Sequence, residues 1–265
     1  MNGAAFLEID GVGMRFGGLW ALSDVSFEIP RGTVLSIIGP NGSGKTTMMN
    51  VISGVYKPTT GTVRYKGIAI ASLPSYEVCK IGIARTFQIV KPFANLTVRE
   101  NVAVGSMFGS DRKATAEAFE RAQEFLETVG LARVADRPAS DLTIPDRKRL
   151  EIAKALALDP EVLLLDEVMA GLNATEIDEA LDLLRSVNAR GVTLVVVEHL
   201  MKAIMSISQR VVVLAEGKKI AEGTPLEITR APQVIEAYLG SRFAQRQREM
   251  AALQDEARDL EEPPT

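Results

Sequence analysis

A single cysteine, Cys79, stands in the 265 residues, so no disulfide can form within the chain. That suits a reducing compartment. No apolar run approaches the ~20 residues that a membrane-spanning helix needs. The longest runs, such as 194–197 and 211–215, have strand length instead. Residues 1–10 lack the basic, apolar, small-residue order of a signal peptide. Any membrane role is therefore expected to be peripheral, through a partner. A strong charge of one sign is lacking too. The net charge of −4 argues against nucleic acid held on one broad basic face. No internal repeat or long linker is visible. No Asn-Lys-x-Asp motif reads a guanine base, which disfavours a GTPase.

What is present is a 46% hydrophobic chain, enough to bury a sizeable core in one or two compact units. Residues 6–9, 25–29, 34–38 and 62–66 read as strands. So do 162–165, 192–197 and 210–214, which are apolar enough to be buried on both faces. Residues 45–53 and 175–188 read as helices. Strand and helix in alternation predict a mostly parallel α/β sheet. Residues 97–158 differ, showing almost only helical pattern; 115–129 is rich in Ala and Glu and stops at Gly130. A helical insert within an α/β core is expected. Residues 241–265 are charged, end in Pro263 and Pro264, and read as a solvated, fraying extension.

The segment Gly39-Pro40-Asn41-Gly42-Ser43-Gly44-Lys45-Thr46 matches G-x-x-x-x-G-K-[ST], with a strand before it and a helix after it. Its glycines let backbone N–H groups turn toward a phosphate without Cβ clashes. The helix start adds free N–H groups and a favourable dipole. Lys45 can reach the β- and γ-phosphates, and the Thr46 hydroxyl can ligand Mg²⁺. A glycine-rich turn without a ligand is the alternative. A chance match in a chain this long is on the order of one percent from residue frequencies.

A second element is Val162-Leu163-Leu164-Leu165-Asp166-Glu167, an apolar strand that delivers two carboxylates at its end. Beside a phosphate loop, Asp166 is placed to hold Mg²⁺ and Glu167 to orient or deprotonate the attacking water.

These elements occur in a fixed order. A phosphate loop and a helical insert are followed by Leu164-Leu165-Asp166-Glu167, then Ala170-Gly171-Leu172-Asn173, then Glu198-His199. From residue 6 to about 240, the chain resembles an ABC transporter ATP-binding subunit. Its nearest likeness is the branched-chain (hydrophobic) amino acid importer group. Four stretches carry the finer match: Arg15-Phe16-Gly17-Gly18-Leu19, Ala84-Arg85-Thr86-Phe87-Gln88, Glu198-His199-Leu200-Met201-Lys202 and Glu236-Ala237-Tyr238-Leu239-Gly240.

The resemblance implies an α/β fold: a P-loop NTPase (RecA-like) core with a mostly parallel sheet, an antiparallel β subdomain and an inserted helical subdomain over about 91–158. Residues 1–240 would form a single ABC ATPase domain, with 241–265 a charged C-terminal extension. Thr47 would join the phosphate loop in binding ATP. Phe16 matches the aromatic that stacks on adenine; by itself it could equally be a core or edge-strand residue. Gln88 matches the glutamine that touches Mg²⁺ or the water and senses the membrane partner. His199, the single histidine, matches the one at the γ-phosphate. Asn173 would lie in a loop crossing a dimer interface. Residues 89–98 would line the groove that receives a permease helix.

One stretch departs from the family's pattern. Where the family usually reads Leu-Ser-Gly-Gly-Gln or Leu-Ser-Tyr-Gly-Gln, this chain has Leu142-Thr143-Ile144-Pro145-Asp146. That segment meets the γ-phosphate held by the other subunit, and Pro145 offers no N–H there. Thr143-x-x-Asp146 reads as a capping box, so the helix still forms. The run Arg147-Lys148-Arg149, beside Asp146 and Glu151, reads as a solvated helix face.

The resemblance implies a peripheral ATPase on the cytoplasmic face of the cell membrane, using ATP and Mg²⁺. Its partners would be permease subunits, a second and non-identical ABC ATPase subunit, and indirectly an external solute-binding protein, with no nucleic acid. A non-transport ABC ATPase and a weakly hydrolysing ATP-sensing subunit stay open as alternatives.

Overall fold

The structure is a computed structural model that describes residues 5–86, 92–109 and 114–239. Its first element is a long hairpin. β1 (Leu7–Phe16) and β2 (Leu19–Ile29) pair antiparallel, with Leu7 opposite Ile29 and Phe16 opposite Leu19. The expected strands 6–9 and 25–29 are only the open end of that ribbon. Its inner stretch holds Gly11, Gly13, Arg15 and Asp24, which blur the alternating pattern. Register shifts at Ile9/Val12 and Val12/Met14 absorb them as bulges.

β3 (Val34–Ile38) leads through the glycine-rich loop into α1 (Lys45–Ile52), and β4 (Thr60–Tyr65) and β5 (Ile68–Ala69) follow. Strands β2-β1-β4-β5 form an antiparallel four-stranded sheet. Next come α2 (Ser75–Lys80) and β6 (Ile83–Arg85), a strand too short to show in the sequence pattern. The helical stretch contains α3 (Val98–Phe108), α4 (Thr115–Thr128) and α5 (Ile144–Leu156). The chain then alternates through β7 (Val162–Asp166), α6 (Ala174–Ala189), β8 (Thr193–Val197), α7 (Met201–Ile207), β9 (Arg210–Ala215) and β10 (Lys218–Gly223). Two short helices, α8 (Pro225–Arg230) and α9 (Pro232–Leu239), close the described chain. The second sheet has the order β10-β9-β3-β8-β7-β6 and is parallel except for β10.

The strands β3, β7 and β8 are buried at every residue, and the reason lies in the layers on both sides. Leu35, Ile37, Leu164 and Val195 point to one face, against α1 and the antiparallel sheet. Leu163, Leu165, Leu194 and Val196 point to the other, against α3, α4, α5 and α6. Parallel strands covered on both faces read as continuous apolar runs rather than alternating ones.

Caps show what the helices leave available. Thr97 closes α3 with a full capping box: it accepts the Glu100 N–H, and Glu100 reaches back to the Thr97 N–H. The box expected at α5 is different. Thr143 Oγ1 accepts the Asp146 N–H at 3.3 Å, but the Asp146 carboxylate takes the Thr143 hydroxyl at 2.9 Å rather than its backbone N–H. Asp is one methylene shorter than Glu. The run Arg147-Lys148-Arg149 is also not the solvated face expected. All three are half-buried: Arg147 donates to the Ser140 carbonyl, Lys148 to the Glu167 and Ala170 carbonyls, and Arg149 pairs with Glu179. Among the described residues, no helix is long and apolar enough to cross a membrane.

Candidate active site

The phosphate loop runs from the C-terminal end of β3 to the first turn of α1. Gly39 has φ 152°, and a Cβ there would stand 2.0 Å from the Leu214 carbonyl oxygen of β9. Gly44 has φ 104°, and a Cβ there would meet the Ala21 carbonyl oxygen of β2 at 2.6 Å. Only glycine lets the loop lie this close to both sheets. Gly39→Ala is therefore expected to weaken ATP binding at least about tenfold and to cost about 1–3 kcal/mol through the disfavoured φ alone. Isothermal titration with a non-hydrolysable ATP analogue and a calorimetric melt measure the two effects.

Gly44 opens α1 without a side-chain cap, and no acidic residue occupies the first turn. In contrast, α3, α5, α6 and α8 are closed by Thr97, Thr143, Asn173 and Thr224. The start of α1 thus keeps N–H donors and a positive dipole end for an anion. Asn41, Gly42 and Thr46 are exposed, Pro40 and Thr47 are half-buried, and Ser43 is buried. The Lys45 ammonium curls back onto the Gly39 and Pro40 carbonyls at 2.8 and 2.9 Å. Burial pulls its pKa below the usual lysine range, while Glu167 and Asp166 oppose that shift. Lys45 is thus within electrostatic reach of both carboxylates at the end of β7. Burial pushes the Tyr238 hydroxyl of α9 above its ordinary range, and the Gly39 backbone N–H of the same loop opposes that shift.

Asp166 is buried at the tip of β7, and its carboxylate pairs with Arg85 at 2.9 Å. Arg85 also donates to the side-chain oxygen of Asn50 at 2.5 Å. Asn50 is four residues after Thr46 on α1, so it shares that helix face. Arg85 therefore ties together β6, β7 and the helix that begins with Lys45 and Thr46. Sequence reading left it without a role. A lone arginine in a short strand has meaning only once β6 is paired beside β7, with Arg85 opposite Leu164.

Glu167 follows at φ 51°, a left-handed conformation uncommon for a residue with a side chain. Its N–H is held by the Val197 carbonyl at 2.9 Å. Its Oε1 lies 2.8 Å from Nε2 of His199, just beyond β8. The two residues are 32 apart in sequence, and the β7–β8 pairing brings them together.

The remaining expected positions are spread around this centre. Phe16 sits at the β1–β2 hairpin tip, close in sequence to the Ala21 carbonyl that abuts Gly44. It is 44% exposed and meets Tyr56 edge-to-face at 5.3 Å, so ring surface remains for a base. Asn173 caps α6 in a complete capping box. Gln88 lies outside the described residues, as do 89–91 of the expected permease groove and all of 241–265. Thr143, Pro145 and Asp146 form the start of α5, in the helical layer.

The donors fit magnesium. Thr46 and Asp166 offer hard oxygens, and among the described residues no group of three or more His, Cys, Asp or Glu could cage a metal. Mg²⁺ is commonly held by one or two protein oxygens together with substrate phosphates and water.

Strand, phosphate loop, helix and a facing acid-tipped strand define a phosphate-loop nucleotide-binding ATPase. A family model described as "ABC transporter" matches residues 22–170, and one described as "Branched-chain amino acid ATP-binding cassette transporter" matches 218–244. The chain is 42% identical over 248 residues to the high-affinity branched-chain amino acid transport ATP-binding protein LivG of Escherichia coli, covering 88% of this chain and 97% of that protein. It is 40% identical to BraF of Pseudomonas aeruginosa over the same shares of the two chains. Among solved structures, the ADP conformation of an ATP-binding cassette of an ABC transporter matches with a TM-score of 0.81 at 29% identity, covering 90% of this chain and 100% of that one. A dimeric post-hydrolysis cassette bound to ADP and Pi matches at 0.75 and 30%, covering 83% of this chain and 98% of that one. The chain belongs to the ATP-binding subunits of ABC transporters, in their branched-chain amino acid group.

Proposed function

We propose that this chain is the ATP-hydrolysing motor of an importer for branched-chain or similar hydrophobic amino acids, docked on permease subunits at the cytoplasmic face of the membrane. The observation that carries the catalytic part is the Glu167–His199 contact beside Lys45 and the open start of α1. In this reading Lys45 leaves the loop carbonyls for the β- and γ-phosphates. Thr46 and Asp166, with Gln88, would hold Mg²⁺, which would supply positive charge to the phosphates when bound. Glu167 accepts the proton of the attacking water, and His199 orients Glu167 and meets the γ-phosphate. Phe16 stacks on the adenine.

For the permease, the described surface offers a cleft of about 260 Å³ beside β6, lined by Val55, Tyr76, Cys79, Arg85 and Leu158 among others. Arg85 borders this cleft and also bonds Asp166, so a helix seated there would press on the magnesium carboxylate. Phe93, 53% exposed, belongs to the groove segment expected from the sequence.

The start of α5 supports a non-identical second ATPase subunit. Of its first four positions, Pro145 has no N–H, Asp146 gives its own to Thr143 Oγ1, and Arg147 gives its own to the Thr143 carbonyl. The Thr143 hydroxyl is spent on the Asp146 carboxylate, which adds negative charge. Such a tip is a poor seat for a partner-bound γ-phosphate. Two copies of this chain would carry the defect at both sites, whereas a different partner with an ordinary signature would spare one.

In the assembled complex, Pro145→Gly with Asp146→Gln is expected to tighten ATP at the partner's site. The gain should be about tenfold or more, the worth of one hydrogen bond to a charged group. Unchanged affinity there would count against this assignment. The broader test is ATP hydrolysis by the chain alone and mixed with partner ATPase and permease subunits. Activity only in the mixture supports the motor with a non-identical partner. Full activity alone makes a homodimer the better description, and binding without hydrolysis in every mixture makes the chain a nucleotide sensor.

A further inference from the structure

Glu198 is 3% exposed, and none of the roles above uses it. Its carboxylate accepts the Met169 N–H at 2.8 Å, and its own backbone runs directly into His199. Met169 lies in the turn that follows Glu167, and His199 carries the ring that meets Glu167. The bonds therefore close a circuit. It runs from Glu167 through its turn to Met169, across the Glu198 side chain and along the chain to His199, and through the imidazole back to Glu167 Oε1.

A third element enters the same turn. Lys148 of α5 donates to the Glu167 carbonyl at 3.4 Å and to the Ala170 carbonyl. Its ammonium also attracts Glu198 and Glu167. Lys148 lies five residues beyond Thr143, so it stands just behind the tip that the proposed reading turns toward the partner's nucleotide. Burial pushes the Glu198 carboxyl above its ordinary range, and the backbone N–H groups of Met169 and His199 and the Lys148 ammonium oppose that shift. An acid is carried in the interior only where partners satisfy it, and here the hydrogen-bonded partner is the backbone of the turn that follows Glu167.

We infer that Glu198 is a positioning residue: it clamps the His199 backbone to the turn after Glu167 so that imidazole and carboxylate stay in contact, and Lys148 links the clamp to α5. It touches no reacting atom and acts through the placement of His199. The value of that placement rests on the catalytic reading given above; the clamp itself does not.

The test uses the single histidine, which gives one set of imidazole signals in the full chain. Imidazole NMR spectra of the histidine-labelled chain are recorded for wild type, Glu198→Gln, Glu198→Leu, Lys148→Met and Glu167→Gln. Glu198→Gln keeps an acceptor oxygen and is expected to hold the signals near wild type. Glu198→Leu is expected to move them as Glu167→Gln does, and Lys148→Met to move them in the same direction. In the assembled complex, Glu198→Leu should lower kcat about tenfold to a hundredfold, the cost of a misplaced catalytic group. KM for ATP should stay within about twofold, because binding is not what the clamp supplies. Unmoved signals in a folded Glu198→Leu chain, or equal shifts in the Gln and Leu variants, overturn the clamp. Should Glu198→Leu not fold, unmoved signals in Lys148→Met overturn it. An inactive wild-type complex whose imidazole still follows Glu198 would support the clamp and defeat the catalytic reading instead.

Discussion

Glu167→Gln is expected to leave ATP binding intact and to lower the hydrolysis rate of the assembled complex by about 10²- to 10⁴-fold, the usual contribution of a general base. Gln fills the same volume and keeps a side-chain oxygen or amide for His199 Nε2, so the turn should survive the change. What it loses is the capacity to take a proton. Position supports the assignment. Glu167 is held in a left-handed conformation directly after Asp166, and its N–H is fixed by Val197 of the next strand. Such a conformation costs roughly 1–3 kcal/mol and persists where the surroundings impose it. Asp166 is a poorer candidate for the base because it is buried and already paired with Arg85. The measurement is phosphate release under saturating ATP, together with the amount of ATP retained on the complex. An unchanged rate would move the base to another group, with His199 the first to test.

Arg85→Met carries the largest expected effect on stability. Arg85 and Asp166 are 8% and 2% exposed, and the variant would strand the aspartate in the interior. Removing one partner of a buried pair typically costs about 3–5 kcal/mol. In a chain of this size that corresponds to a Tm lower by roughly 10 °C. Adding Asp166→Asn should recover a large part of the loss, because no buried charge is then left unpaired. It should not restore hydrolysis, since the carboxylate proposed to hold Mg²⁺ is gone. Calorimetric melts of the two single variants and the double variant form the cycle that isolates the pair. A loss under about 1 kcal/mol for Arg85→Met would show that water reaches the pair, as for an exposed ion pair.

Much of the candidate site is legible in the sequence. The phosphate loop is one contiguous segment whose glycines, lysine and threonine act through local backbone geometry, so its chemistry is written in sequence order. Asp166 and Glu167 were legible for a similar reason, since an apolar strand must end where its acids begin. The open stretch of the first hairpin was not legible. There the ribbon is held by cross-strand pairing and bulges, while the residues themselves alternate poorly. The basic run in α5 misled because three adjacent charges look solvated in one dimension. In the fold they meet carbonyls and an acid from other elements.

The amino-acid sequence by itself determined the α/β class, the phosphate loop with its acidic strand, and the anomaly at Pro145 and Asp146. Each of these depends on neighbours a few residues apart. Only the tertiary structure decided that His199 meets Glu167, that Arg85 anchors Asp166 to α1, and that Glu198 and Lys148 bond the turn after Glu167. These contacts join residues from 19 to 81 positions apart. Nothing in local propensity encodes them, because they exist only once parallel strands β6, β7 and β8 lie side by side and the helical layer closes over them.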